Sequence, residues 1–193
     1  MRTLSSSLAG NRVSTADVRR AFKESPAVAF LATGLGTGLS PFAPGTAGSA
    51  LGLAAAWFLS RALSTTAPSM TAAVGLLMSG LLIGLVGVPL STKTARALKS
   101  KDPGCIVIDE IAGQILASAA VPLFRYPTPR MEALAWAASF FLFRLFDVWK
   151  PGPIDRWQAL PGGWGIVVDD VAAGALAAGV TAGVAAILSA RPA

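Results

Sequence analysis

The sequence predicts an all-α protein, a multihelical bundle of about five apolar helices that is embedded in a membrane. Hydrophobic residues make up 53% of the 193 residues and charged residues only 13%, whereas a soluble domain carries about 25% charged residues. Apolar runs of helical length alternate with segments that contain proline and glycine, as helix boundaries require. The length suffices for one such bundle and is too short for two.

The order of the apolar runs predicts the individual elements. Residues 1–26 are polar, serine-rich and basic, and we interpret them as an N-terminal tail with a short helix around 15–23. A single helical domain is expected over 27–190. The last apolar run has twenty residues without a charge, which as a helix rise about 30 Å, the thickness of a bilayer's hydrocarbon core. The apolar helices are predicted at about 47–63, 70–90, 105–124, 131–149 and 171–190.

Basic residues predict how this bundle is oriented. If the loop 91–104, with its four basic residues, faces the cytoplasm, alternate threading also places 1–46 and 144–170 on that side. The net charge of +6 is dispersed among apolar runs, which suits an anionic lipid surface or an anionic substrate and not nucleic acid. Twelve Lys and Arg residues then lie inside, and the four outside are Arg61, Arg125, Arg130 and Arg191.

Carboxylates gather on the same predicted face. Adjacent acids occur there twice, early in apolar runs, and one acid of each pair could serve as a helix cap or favour the helix dipole. Capping does not explain the second acid, and ionisable groups at membrane depth are costly and generally functional. Outside the N-terminal tail, seven of the chain's ten carboxylates converge on this face, namely Asp102, Asp109, Glu110, Asp147, Asp155, Asp169 and Asp170.

The residue inventory excludes several chemistries. Histidine is absent, which excludes His-based triads and His-ligated zinc. Cys105 lacks the arginine six residues on that a cysteine phosphatase requires.

Oxygen ligands suit Mg²⁺, and a Mg²⁺ cluster can bridge a phosphate. Asp147 could instead pair with Arg144, three residues earlier. The predicted metal ligands are Asp109, Glu110, Asp169 and Asp170, and these acids together with Asp147 are the predicted catalytic residues.

A glycine-rich loop at 33–49, TGLGTGLSPFAPGTAGS, precedes the first apolar helix. It is neither a dinucleotide loop nor a Walker motif, because Leu39 stands where a third glycine belongs and no Lys-Ser/Thr ending follows. Exposed N–H groups in such a turn and a helix N-terminus nevertheless favour an anion. The alternative is a tight packing turn. The predicted phosphate-binding residues are Gly36, Gly38, Gly45, Thr46, Arg144 and Lys150.

Four motifs carry a resemblance to a known family: GLGTGLSPFAPGTAGS, DPGCIVIDEIAGQ, FRLFDVWKPGPI and GGWGIVVDDVAAG, in this order. Over about 30–180 the chain resembles the phosphatidylglycerophosphatase A family. The resemblance implies a Mg²⁺-dependent lipid phosphatase that converts phosphatidylglycerophosphate, a membrane phospholipid, to phosphatidylglycerol. It also implies the bacterial cytoplasmic (inner) membrane, with the active site facing the cytoplasm. By resemblance, the acidic positions are Asp109, Glu110, Asp147, Asp169 and Asp170, and Lys150 is the lysine of the KPxPI segment.

The residues themselves leave two other classes of protein open, a small membrane cation transporter and a non-catalytic membrane scaffold. A transporter would place its acids near the middle of the bilayer, and a scaffold needs no convergence of acids. The pattern does not decide whether water or a carboxylate attacks phosphorus. It is also compatible with a homo-oligomer.

Overall fold

The computed structural model describes residues 14–64, 69–152 and 154–191. Every regular element within these ranges is a helix, which confirms the all-α class. The short helix predicted in the N-terminal tail is α1, while residues 1–13 lie outside the described residues. The α-helices are α1 (Thr15–Glu24), α2 (Pro26–Ala32), α3 (Pro44–Leu63), α4 (Met70–Ala97), α5 (Ile108–Ala117), α6 (Pro129–Trp149), α7 (Ile154–Trp157) and α8 (Trp164–Ser189), with 3-10 helices at Thr37–Leu39 and Val121–Leu123.

Helix α5 is short, and it forms the centre of the bundle. It packs against α3, α4, α6 and α8, and eight of its ten residues are buried. Its sequence, IDEIAGQILA, is apolar or small on most sides, the pattern of a helix that is surrounded by others. Ten residues rise only about 15 Å, half the thickness of the hydrocarbon core. Helix α5 is therefore a core helix and does not span a bilayer by itself.

Glycines allow α5 and α8 to approach each other closely. A Cβ atom on Gly113 would lie 2.6 Å from the carbonyl oxygen of Asp170, closer than real side chains come, and a Cβ atom on Gly174 would collide with the backbone of Gly113. Small residues at a helix crossing permit this close packing. Asp109 and Asp170 each lie four residues before one of the two glycines, so the crossing brings these acids together on facing helix surfaces.

The apolar run 105–124, predicted as one helix, is divided in the structure. Helix α5 ends at Ala117, where the Ser118 hydroxyl donates to the Gln114 carbonyl at 3.0 Å. The segment still reaches the opposite end of the bundle, because the Ser69 N–H, just before α4, donates to the Pro122 carbonyl at 2.7 Å. The predicted extent of this helix is therefore wrong, although its direction through the bundle is consistent with the threading.

Helix α4 is longer than the predicted 70–90 and includes half of the predicted loop 91–104. Pro89 removes one backbone hydrogen bond within it, but the helix continues. The residues beyond Pro89 are held by packing, since Ala95 belongs to a buried apolar cluster with Ile106, Ile108 and Ile166. Buried apolar contacts therefore outweigh the local cost of the proline.

Helix α8 begins at Trp164, seven residues earlier than the predicted start at 171. Asp169 and Asp170 consequently lie in the second turn of the helix, and the residue at the N-cap is Gly163. An N-cap side chain must lie at the helix start to accept the free N–H groups. The capping interpretation of this pair is therefore wrong.

Two helices, α4 and α8, are long and apolar enough to cross a membrane by length and composition. Most of the apolar stretch of each helix is not buried within the protein. Large apolar side chains are exposed along both, including Leu81 and Leu85 of α4 and Leu176 and Ile187 of α8. Exposed apolar surface of this extent marks contact with a membrane or with another protein.

Candidate active site

Three acidic side chains converge between α5 and α8. Asp109 and Glu110 lie in the first turn of α5, and Asp170 lies in the second turn of α8. Each residue offers a carboxylate oxygen, and the three oxygens lie within 4.8 Å of one another. Asp109 and Asp170 are buried, with 7% and 4% of their surfaces exposed. Three like charges at this distance require a compensating cation or bound protons.

The residues of this cluster have the properties expected of cation ligands. Burial raises the pKa of Asp109 well above its ordinary value, and the charge of Glu110 adds to the effect. Burial also raises the pKa of Glu110, whose Oε2 atom is buried and has no hydrogen-bond partner among the described residues. An all-oxygen set of carboxylates is the donor set that Mg²⁺ prefers. The cluster therefore fits a hard divalent cation.

Asp169, the fourth predicted metal ligand, points elsewhere. Its Oδ2 atom forms an ion pair with Lys150 at the end of α6. Its Oδ1 atom is buried and lacks a hydrogen-bond partner among the described residues. Successive helical residues point about 100° apart, and in α8 this difference directs Asp170 toward the cluster and Asp169 toward Lys150. The structure thus brings three of the four predicted ligands together and leaves Asp169 with one free oxygen beside them.

Lys150, the partner of Asp169 in this ion pair, has an uncommon backbone conformation. It follows α6 with a φ of 46°, in the left-handed region, where glycine is the usual residue after a helix. A non-glycine residue there costs about 1 kcal/mol or more, and such strain clusters at functional sites. Burial alone favours the neutral amine, but the ion pair with Asp169 and the charge of Asp170 outweigh it and raise the pKa of Lys150. The lysine is therefore cationic at neutral pH.

A second ion pair lies at the other side of the cluster. Arg144 Nη1 donates to Asp147 Oδ2 at 2.5 Å, the pairing that the spacing on α6 allows. The charge of Asp147 is close enough to raise the pKa of Glu110. Arg144 also donates to the Ser49 hydroxyl at 3.3 Å. Arg144 is thus held between α6 and α3, beside the acids.

Sequence reasoning did not single out Ser49. Its side chain is buried, donates to the Gly45 carbonyl at 2.8 Å and accepts from Arg144. The spacing could have indicated Ser49, because it lies four residues after Gly45, a predicted phosphate-binding residue, and therefore on the same face of α3.

The N-terminus of α3 lies directly against the cluster. A Cβ atom on Gly45 would come 2.5 Å from Glu110 Oε1 and 3.3 Å from Arg144 Nη1. The N–H groups of Gly45 and Thr46 belong to the first turn of α3, where a helix has no internal acceptors, and no side chain of the described residues caps this end. A helix end of this kind favours an anion. Gly45 therefore lies beside Glu110 and Arg144 at a helix N-terminus, and the binding of phosphate by Gly45 and Thr46 stays a prediction.

Among the described residues, no acid is a nearest neighbour of Gly36 or Gly38, the other two glycines predicted to bind phosphate. Gly38 is buried, and a Cβ atom there would collide with the Cys105 carbonyl, while the space beside Gly36 is open. Gly38 thus has the packing role that the sequence left as the alternative. Asp102 and Asp155 also lie apart from the cluster, where they line a separate cavity of about 310 Å³.

The part of the chain that contains these residues is similar to known proteins. The model of the phosphatidylglycerophosphatase A family matches residues 30–185. The chain is 37% identical to phosphatidylglycerophosphatase A of Escherichia coli over 153 residues, 78% of each chain. It is 36% identical to the Haemophilus influenzae protein of the same name over 147 residues, 74% of this chain and 79% of the relative. A Bacteroides thetaiotaomicron protein, provisionally named a phosphatidylinositol-3-phosphatase, is 34% identical over 144 residues, 75% and 84% of the two chains. No solved structure matches the chain.

The site and these matches define the class of protein as a phosphoric monoester hydrolase. The chain belongs to the phosphatidylglycerophosphatase A family. The match includes α3, α4, α5, α6, α8 as far as residue 185 and every residue of the acidic cluster, whereas α1 lies before it. The transporter and the scaffold, which the sequence left open, receive no support from a family of hydrolases.

Proposed function

We propose that this protein is a Mg²⁺-dependent lipid phosphatase that hydrolyses phosphatidylglycerophosphate to phosphatidylglycerol and phosphate. Two of its relatives, both more than a third identical, carry the name of this activity. The observation that carries the proposal is the carboxylate cluster of Asp109, Glu110 and Asp170, with oxygens within 4.8 Å. A helix N-terminus and an arginine lie against it, so groups that attract a cation and a phosphate occur side by side.

The chemistry assigns a role to each side of the site. Mg²⁺ held by Asp109, Glu110 and Asp170 would neutralise charge on the phosphoryl oxygens during in-line displacement. Arg144 and the free N–H groups at the start of α3 bind the remaining phosphoryl oxygens. Ser49 and Asp147 hold the guanidinium of Arg144 in place. The phosphate is thereby oriented before the reaction, which is a large part of catalysis for phosphoryl transfer.

Asp169, positioned by Lys150, activates the attacking water. The water oxygen forms a bond to phosphorus, the bond from phosphorus to the glycerol oxygen breaks, and that oxygen takes a proton from solvent. Asp169 returns to solvent the proton that it accepts from the attacking water. The free Oδ1 atom of Asp169 accepts the proton of the water, while Lys150 fixes the other oxygen of the carboxylate. A positioned general base of this kind contributes about 10²–10⁴ in rate.

The substrate is a membrane lipid, and the protein is proposed to lie in the bacterial cytoplasmic membrane with its site at the cytoplasmic face. The apolar exteriors of α4 and α8 support membrane insertion, and the distribution of basic residues, twelve against four, supports the orientation. The orientation is tested by single cysteines, Ser100→Cys and Ala159→Cys, in a Cys105→Ser background. Both should react with an impermeant thiol reagent only from the cytoplasmic side. Labelling of either on intact cells would refute the orientation.

The activity is tested with purified protein in detergent. Phosphate release from phosphatidylglycerophosphate should cease after chelation with EDTA and return with Mg²⁺. Phosphatidylinositol 3-phosphate serves as the second substrate, because one relative carries that name. Asp155→Asn is the control variant, since Asp155 lies at the separate cavity, and it should keep full activity. Full activity after rigorous chelation would refute the metal site, and preference for the inositol lipid would reassign the substrate.

A further inference from the structure

A cavity with both apolar and charged walls lies at the C-terminal end of α4, where α1 and α2 pack against it. Its volume is about 760 Å³, within the usual range of small-molecule sites, about 300–1,000 Å³. Among the described residues, none of the acidic cluster lines it. The apolar walls include Val28, Ala29 and Pro89, and the charged lining residues are Glu24, Lys93 and Arg96.

The walls of this cavity are fixed to the rest of the bundle. On one side Ala29 of α2 is 1% exposed, and the carbonyl of Ala32, at the end of α2, accepts from the Val107 N–H at 3.0 Å. On the other side the hydroxyl of Thr92, a lining residue, accepts from the Gly163 N–H at 2.7 Å. The cavity is therefore a defined feature of the fold.

The cavity lies at the depth of the lipid headgroups when α4 spans the membrane. The twenty-three residues from Met70 to Thr92 carry no charge, and as helix they rise about 35 Å, slightly more than a hydrocarbon core of about 30 Å. Lys93 and Arg96 are the first charged residues of α4 and thus lie in the interfacial layer. The proposed orientation places this end of α4 at the cytoplasmic face.

Two cations of the lining are available to a ligand. Lys93 and Arg96 are three residues apart and so share a face of α4, and neither forms an ion pair with a described residue. With Glu24 as the single acid, the lining has a net charge of +1. Thr94 also lines the cavity, and its buried hydroxyl has no hydrogen-bond partner among the described residues. A headgroup oxygen or a bridging water would supply that partner.

We propose that this cavity binds the headgroup of a phospholipid with a net negative charge, such as phosphatidylglycerol, separately from the substrate at the acidic cluster. The phosphodiester pairs with Arg96 and Lys93, and the apolar walls of Val28 and Pro89 face the glycerol carbons. The lining and the phosphodiester have opposite net charges. Helix α1, and α2 up to Ala29, precede the residues that the family model matches, so the family relationship does not assign this site. The proposal rests on the proposed placement in the membrane and not on the phosphatase activity.

The experiment measures lipid binding through thermal stability. Purified protein in a nonionic detergent, with EDTA to keep metal from the acidic cluster, is titrated with short-chain phosphatidylglycerol. Tm should rise by about 5–10 °C at a lipid concentration about 100 times Kd. Arg96→Gln should raise Kd about tenfold to a hundredfold, the effect of losing a hydrogen bond to a charged group. Without lipid this variant should melt with wild type, because Arg96 is exposed.

Arg19→Gln is the matched control, because Arg19 is an exposed arginine of α1 that does not line this cavity. It should bind the lipid as wild type does. Equal losses in Arg19→Gln and Arg96→Gln would show a response to total charge alone and would overturn the site.

Two further ligands test which headgroup the cavity selects. Phosphatidylethanolamine and inorganic phosphate should each raise Tm much less than phosphatidylglycerol. Equal stabilisation by phosphatidylethanolamine would overturn the selection for an anionic lipid, and equal stabilisation by inorganic phosphate would assign the cavity to a soluble anion. Because the readout is Tm and not turnover, failure of this proposal is distinguishable from failure of the proposed function.

Discussion

The two pairs of adjacent acids resemble each other in sequence and differ in structure. Asp109-Glu110 begins a short buried helix, and both carboxylates join the cluster. Asp169-Asp170 lies in the second turn of a long helix, where only Asp170 joins the cluster and Asp169 pairs with Lys150. Adjacent position in a sequence therefore does not determine a shared role.

The two pairs differ because different elements pack against the sides of α5 and α8 that carry them. In both helices an aspartate lies four residues before a glycine at the crossing, as Asp109 before Gly113 and Asp170 before Gly174. Residues at this spacing share a helix face, so these two aspartates meet. The neighbour of each aspartate points about 100° away, toward α3 in one helix and toward Lys150 in the other. The partner thus depends on which element packs against that side.

The largest effect is expected from removing a carboxylate of the cluster. Asp170→Asn keeps the size of the side chain but removes the charge that a cation needs. We expect phosphate release to fall by about 10²–10⁴, or roughly 3–5 kcal/mol of barrier. The variant should also need a higher Mg²⁺ concentration for half-maximal rate. Thermal melting checks the fold, and near-wild-type turnover in Asp170→Asn would contradict the role of the cluster.

Asp169→Asn distinguishes the two members of the second pair. Asp169 lies outside the cluster, so its loss should lower kcat by about 10²–10⁴ without changing the Mg²⁺ concentration for half-maximal rate. The measurement is a Mg²⁺ titration of both single variants beside wild type. A matching shift of the Mg²⁺ requirement in Asp169→Asn and Asp170→Asn would show that both residues bind the metal.

A smaller effect, on stability, is expected from Lys150. Lys150→Met leaves Asp169 as a nearly buried charge without a partner, which costs about 3 kcal/mol and lowers Tm by about 6–12 °C in a chain of this size. The double variant Lys150→Met with Asp169→Asn should regain most of that loss, because no charge is then left unpaired. Lys93→Met, at an exposed lysine, is the control. A double variant no more stable than Lys150→Met would show that the ion pair is not the source of the effect.

Local sequence patterns predicted the helices more accurately than their ends. The predicted start of the last helix at 171 left the run Gly162-Gly163-Trp164-Gly165 outside it, yet Gly165 lies inside α8. A Cβ atom there would come 2.5 Å from the carbonyl oxygen of Leu160. This glycine is present for close packing and not for a turn, and no local pattern distinguishes the two. The end of α5 depends likewise on Ser118, whose hydroxyl contacts Ser139 of α6 at 3.0 Å.

The sequence predicted which residue types form the site, but not which role each residue has. Absence of histidine and the gathering of acids on one face were sufficient to propose a carboxylate–Mg²⁺ site. Which oxygens face one another depends on the rotation of α8 against α5, and the Gly113–Gly174 contact sets that rotation. Ser49 could not be predicted for the same reason, since its role is to accept a hydrogen bond from Arg144, 95 residues away in the sequence.

The smallest effect is expected from a substitution at the crossing of α5 and α8, which brings Asp109 and Asp170 together. Gly113→Ala places a methyl group against the Asp170 carbonyl and the Phe143 ring, and overpacking of this kind costs about 1–3 kcal/mol. The helices must separate to accept it, which moves Asp109 away from Asp170. We therefore expect a lower Tm together with a higher Mg²⁺ requirement. Gly179→Ala in α8 is the control, because no atom of the described residues lies within 4 Å of a Cβ atom there, and alanine should raise helix stability by about 0.5–1 kcal/mol. If Gly113→Ala lowered Tm but left the Mg²⁺ requirement unchanged, the crossing would stabilise the bundle without setting the geometry of the acids.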